Sequence, residues 1–132
     1  MLLRLQLLLL LCIAHVITYA RQAFTSPQDS LAFSKADTAF HMANKNNDSA
    51  LVLAKQALAE GQVSKNKRTI GNAMNAIGWA MMHRGNLDSA AYYIEKAWQS
   101  FTEGGTPDDV ARACLNIAEV YTRQSNISTA IK

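Results

Sequence analysis

The side chains of this 132-residue chain best suited to act as bases or metal ligands are three histidines, two cysteines and ten carboxylates. His41 and His83 lie far apart, without an acidic or cysteine partner at ligand spacing, and a metal site needs three or four converging ligands. The sequence contains no Ser/His/Asp arrangement, paired catalytic carboxylates, phosphate-cradling glycine loop or CxxC. It therefore offers no catalytic constellation and calls for no cofactor or metal. Lys65, Lys67 and Arg68 form a small basic cluster, read as a solvated loop at a helix start. Cys114 falls at an apolar position and reads as a small buried hydrophobe, with nothing nearby to lower its thiol pKa.

Composition narrows the field further. Thirteen basic and ten acidic side chains leave a net charge of +3. That is too little to argue for a nucleic-acid surface. Apolar residues make up 49% of the chain, unevenly spread, with eight of its fourteen leucines in the first twenty positions. Met1–Ala20 has one early positive charge at Arg4 and an unbroken apolar run from Leu7 to Ala14. Thr18-Tyr19-Ala20 then places small residues where a signal peptidase reads. This is the layout of a secretory signal peptide, with cleavage expected after Ala20 and an exported product, periplasmic or extracellular. The run is short for a membrane anchor, so a membrane is involved only if this segment is retained or a later span exists. Cleavage removes Cys12 and leaves Cys114 as the sole cysteine, so no internal disulfide can form.

The elements that hold the remaining residues follow a period of forty. Asp48-Ser49-Ala50 recurs as Asp88-Ser89-Ala90, and Ser128-Thr129-Ala130 stands forty further on. Ser26-Pro27 and Thr106-Pro107 share a phase with Asn66. Ser26, Asn66 and Thr106 suit helix N-caps, and Pro27 and Pro107 suit the first helical position. First helices are expected near 27–44, 67–84 and 107–124, and second helices near 47–61 and 87–103. Gly85, Gly61 and Gly104-Gly105 are the expected helix ends. Asn46-Asn47 and Ser125-Asn126 fill the equivalent turns, and both turns carry a glycosylation sequon, at Asn47 and Asn126.

Apolar faces follow helical spacing. Ile70, Met74, Ile77 and Met81 line one helix, and Val110, Cys114, Ile117 and Tyr121 line another. Leu87, Ala90, Ala91, Ile94, Trp98 and Phe101 form a third stripe, which places Trp98 in the core. Ala50, Ala54, Ala57 and Leu58 form a stripe of smaller residues. With twenty-one alanines in the chain, close helix crossings are expected. No segment alternates with period two, so no sheet is expected.

This layout resembles the tetratricopeptide repeat (TPR). Ile77-Gly78 is similar to its Leu-Gly pair, Gly85 ends the first helix, and Ala90, Ile94 and Ala97 match the second. The third copy offers Ile117-Ala118, Tyr121 and Ala130; the first offers Ala36, Phe40, Ala50, Ala54 and Ala57. The copies span 26–65, 66–105 and 106–132, after a 21–25 linker, and each complete one is forty residues against the usual thirty-four. The resemblance implies an all-α, right-handed superhelix of antiparallel helix pairs, an α-solenoid of two complete repeats and a truncated third. It also implies a non-catalytic scaffold that binds a protein or peptide on its concave face. By phase that face carries Lys35, Ala39 and Met42, then Asn72, Asn75, Trp79, Met82 and His83. Arg112, Leu115, Glu119, Thr122 and Arg123 complete it. A subtype of the family clamps a terminal carboxylate; Lys35 and Arg112 could serve, but Ala39 and Ala76 stand where it needs asparagines.

Trp79 lies off the apolar stripe of its helix and reads either as a platform for a peptide or as packing between repeats. The second helix of the third copy, expected from about Ile127, is cut off at Lys132, so the chain reads either as part of a longer array or as one whose end a partner covers. An alternative function follows from the resemblance: the sensory N-terminal portion of a longer membrane signalling protein, with a histidine kinase or transcriptional regulator as output.

Overall fold

A computed structural model describes Gln6 and residues 26–130. The signal-peptide and linker readings fall, Gln6 apart, outside the described residues. Five helices follow in order: α1 (Pro27–Met42), α2 (Asn47–Ser64), α3 (Lys67–His83), α4 (Leu87–Gly104) and α5 (Pro107–Ala130). No strand occurs among the described residues, and none of their helices is long and apolar enough to cross a membrane.

Capping chemistry sets the helix starts. The Ser26 hydroxyl accepts from the Asp29 amide at 3.2 Å, and the Asn66 carboxamide accepts from the Thr69 amide at 3.0 Å. Asn46 and Asn86 cap α2 and α4 in the same way, accepting from the amides of Ser49 and Ser89. At α5, Thr106 and Asp109 cap reciprocally. The Asp109 carboxylate accepts from the Thr106 amide at 2.9 Å, and the Thr106 hydroxyl accepts from the Asp109 amide at 3.3 Å. Each contact satisfies an amide that the helix itself leaves free.

The helix ends differ from the sequence reading in two places. Gly85 takes the left-handed conformation, with φ of 77°, as expected. Gly61 does not end α2. The helix runs on to Ser64, and Lys65 takes the left-handed position with φ of 56°. Gly61 is instead a close-approach residue, because a Cβ there would lie 3.0 Å from the Thr69 methyl. The second difference is α5, which passes through Ser125-Asn126 without a turn. Neither residue is Gly or Pro, so nothing local interrupts the backbone hydrogen bonds. The third copy is therefore one long helix among the described residues.

Helix pairs stack in sequence, with α3 packed against α1, α2 and α4. The core is largely alanine: Ala36, Ala39, Ala54, Ala57, Ala73 and Ala90 are all fully buried. Small side chains let the helix axes approach, and two glycines of α3 go further. A Cβ on Gly71 would lie 2.7 Å from the Phe101 ring, and one on Gly78 would lie 2.5 Å from Ile94 Cγ1. Larger apolar residues, Ile77, Ile94, Phe101 and Val120, fill the remaining space.

Three stripe assignments shift. Trp98 is 39% exposed, and Ala97 beside it is buried. Cys114 is exposed and Ala113 takes the core position. On α5 the buried line is Asp109, Ala113, Asn116 and Val120, while Tyr121 is exposed. The smaller residue of each neighbouring pair faces the tight crossing, and the larger one is left at the edge.

Candidate functional site

The first helix of each copy, α1, α3 and α5, lies on one side of the stack. Where α3 meets α5, the contact is a polar seam. Arg68 donates to Asp109 at 2.7 Å, Arg112 donates to Asn72 at 3.1 Å, and Asn116 donates to Asn75 at 2.9 Å. The three pairs step along facing helices at near-helical spacing, each polar residue meeting one that stands forty or forty-one positions later. Towards α1, the Asn72 amide donates to the Phe33 carbonyl at 3.3 Å.

Asp109 is 5% exposed. Burial alone would raise its carboxyl. Hydrogen bonds from Arg68 and Thr106, with the Arg68 charge, outweigh that and hold it below the ordinary value. Arg112 is the hub of the seam. It pairs with Asp109 at 3.2 Å and, across the face, with Asp37 of α1 at 3.7 Å. Its guanidinium also lies 6.0 Å from the Phe40 ring centre.

One end of the face is aromatic. Trp79 stacks on Phe40 at 5.1 Å with rings 29° apart, and His83 meets Trp79 edge-on at 5.4 Å. His41 stands edge-on to Phe40 and pairs with Asp37 at 3.7 Å, so this histidine has an acidic neighbour four residues earlier, contrary to the sequence reading. Partial burial and the nearby Arg123 charge hold the His83 imidazole below its ordinary value. Arg123 in turn pairs with Glu119 at 2.8 Å.

The nine expected binding residues separate into three groups. Trp79, His83, Arg112, Glu119 and Arg123 share the α1–α3–α5 face with accessible surface. Asn72, Asn75 and Met82 are 0%, 0% and 2% exposed. The two asparagines are consumed by the seam, and Met82 packs with Leu87, Ile94 and Val120. These three hold the helices together and present nothing to a ligand. Lys35 stands apart, paired with Glu60 of α2 and lining a cavity of about 450 Å³ with Leu31, Ala59 and Val63. Ala39 is buried too, while Leu115 is 71% exposed.

The family model for Soluble NSF attachment protein, SNAP, matches residues 27–132. The chain belongs to this family. The match covers all five helices, and the SNAP fold is a TPR-like helical solenoid, as the stacked pairs here are. The SNAP family is one of helical protein-interaction scaffolds. No curated protein and no solved structure matches the chain.

Sequence reasoning missed several residues of the α1–α3–α5 face and its seam. Asp37 and Asn116 carry no motif of their own, and Phe40 stands in the repeat pattern but was not placed on the face. Arg68, read as part of a solvated loop, is 19% exposed, bonded to Asp109 and set 4.5 Å over the Phe33 ring. A signal was present: Arg68 and Asp109 carry opposite charge and lie 41 residues apart, within one residue of the repeat. Asn47 was read as a sequon. Its amide donates to the carbonyls of Ala43 and Ala80 at 3.1 and 2.8 Å, and its oxygen accepts from Arg84 at 2.6 Å. A glycan on Asn47 would replace one of the two amide hydrogens and so remove one of the two donated bonds.

Proposed function

We propose that this chain is an exported, non-catalytic adaptor that receives a segment of a partner protein on the α1–α3–α5 face. The observation that carries the reading is the aromatic end of that face. Phe40 and Trp79 form a stacked pair ringed by His41, His83 and Arg123. A flat apolar surface with donors at its rim suits a peptide that brings one large side chain and a few acceptors. Beneath it, Asn72 and Asn75 are buried and hydrogen-bonded to Phe33, Arg112 and Asn116 of the neighbouring helices. Export rests on the leader pattern in Met1–Ala20.

Peptide-display selection against the full chain tests the reading. Selected peptides should lose about 30-fold in affinity on Trp79→Ala, the effect of truncating a central aromatic anchor. Arg123→Ala and His83→Ala should give smaller losses without changing the fold. Peptides that bind equally to all three variants would reject the assignment. Export is tested by sequencing the N-terminus of the secreted product, which should begin at Arg21.

A further inference from the structure

The two sides of α5 are held by different chemistry. Towards α4 the buried contact is apolar: Ala113 packs with Ala97 and Phe101, and Val120 packs with Leu87, Ala90 and Ile94, while Tyr121–Glu95 and Gln124–Asp88 hydrogen bonds lie at its exposed edge. Towards α3 it is the polar seam. Two donors in that seam, Arg112 Nε and Asn75 Nδ2, are buried without an acceptor. A buried donor left unpaired disfavours the closed packing, whereas water satisfies it as soon as the seam opens.

The link from α5 to α1 is of a third kind. The α1 and α5 backbones do not approach one another. The Arg112 side chain bridges the gap, reaching Asp37 at 3.7 Å and the Phe40 ring at 6.0 Å. Both partners of this ion pair are partly exposed, at 30% and 43%, so solvent and salt reach it.

We propose that α5 rocks on its apolar contact with α4, opening and closing the α3 seam, and that Arg112 is the latch that holds it closed across the α1–α3–α5 face. In the closed form Arg112 ties three helices together and sets the width of the face. In the open form the two orphaned donors are hydrated, and α5 moves away from Asp37 and Phe40. The latch is a property of the free protein, so it goes beyond the binding reading and does not depend on it.

Amide hydrogen exchange on the full chain tests this, read helix by helix by mass spectrometry. In the wild type, α5 should exchange faster than α3. Raising the salt to about 1 M, where the Debye length falls to about 3 Å, should speed α5 selectively. Asp37→Asn should do the same by about two- to five-fold, the range for a partly exposed ion pair, and should weaken the response to salt, the buried Arg68–Asp109 pair being screened less. Asn75→Leu with Asn116→Leu replaces the polar seam by an apolar one and should slow α5. If the leucine pair unfolds the protein, as circular dichroism would show, the Asp37→Asn and salt arms still decide. Equal protection of α3 and α5, unmoved by salt and by Asp37→Asn, overturns the proposal. An acceleration spread evenly over all five helices does so too, because it reports global destabilisation.

Discussion

Gly78→Ala sets two opposing effects against each other at one atom. In an isolated helix the change stabilises by about 1 kcal/mol, since alanine loses less backbone entropy than glycine. In this fold the new Cβ would lie 2.5 Å from Ile94 Cγ1, 3.1 Å from the Ala90 carbonyl oxygen and 3.2 Å from the Ile94 nitrogen. Carbon atoms in contact prefer about 3.5–4.0 Å, so Ile94 must retreat by about 1 Å. It has little room, because Ile94 is fully buried and the other two close atoms are backbone. Overpacking of this kind costs about 1–3 kcal/mol, and three simultaneous contacts place it in the upper part of that range. After the helix-propensity gain, the net loss is about 1–2 kcal/mol. At roughly 4–8 °C per kcal/mol for a domain of this size, the melting temperature should fall by roughly 5–15 °C. Thermal unfolding followed by circular dichroism reads it directly. In an Ile94→Ala background the worst contact is gone, and the same change should move towards neutral. A Gly78→Ala protein that melts at or above the wild type would refute the argument that the α3–α4 crossing requires glycine.

Three further outcomes follow from the structure. Asp109 is held below the ordinary carboxyl value of 3.8, so its contribution is complete above that value and is lost as pH falls through the lower folded one. Asp109→Asn should therefore cost about 1–3 kcal/mol at neutral pH and show a weaker stability loss on acidification, measured by denaturant titration at several pH values. Arg123→Gln should raise the His83 pKa towards 6.5, since one of the causes that lowers it is removed; an NMR titration showing no movement would separate the two residues. Cys114 is exposed and should react with a thiol reagent in the native protein at an unhindered rate, whereas reaction only on unfolding would return it to the core.

The helical frame was readable because its signals are local. A cap needs one short polar side chain and the free amides beside it, and the copies at Ser26, Asn66 and Thr106 stand where their helices begin. Gly85 is legible for the same reason, as a backbone position that L side chains rarely adopt. The face was legible only in part. Trp79, His83, Arg112, Glu119 and Arg123 fall on it by phase, but Asn72, Asn75 and Met82, in the same phase, are buried. Period alone cannot separate them, because exposure on a first helix depends on how closely the next repeat approaches.

The sequence by itself determined that the chain is helical, where four of its five helices start and stop to within a few residues, and that alanine marks the crossings. Each of these rests on interactions within a few residues of the backbone. Tertiary structure alone decided which neighbour of each pair went inside: Ala97 rather than Trp98, and Ala113 rather than Cys114. It also brought Arg68, Asn72, Asn75, Asp109 and Asn116 together into a seam. The physical reason is distance. Gly71 and Gly78 bring α4 close to α3 and leave room for Phe101 and Ile94, and the rest of the crossing is filled by small side chains such as Ala90. Where α5 meets α3, buried polar groups must find each other because water is no longer there to satisfy them.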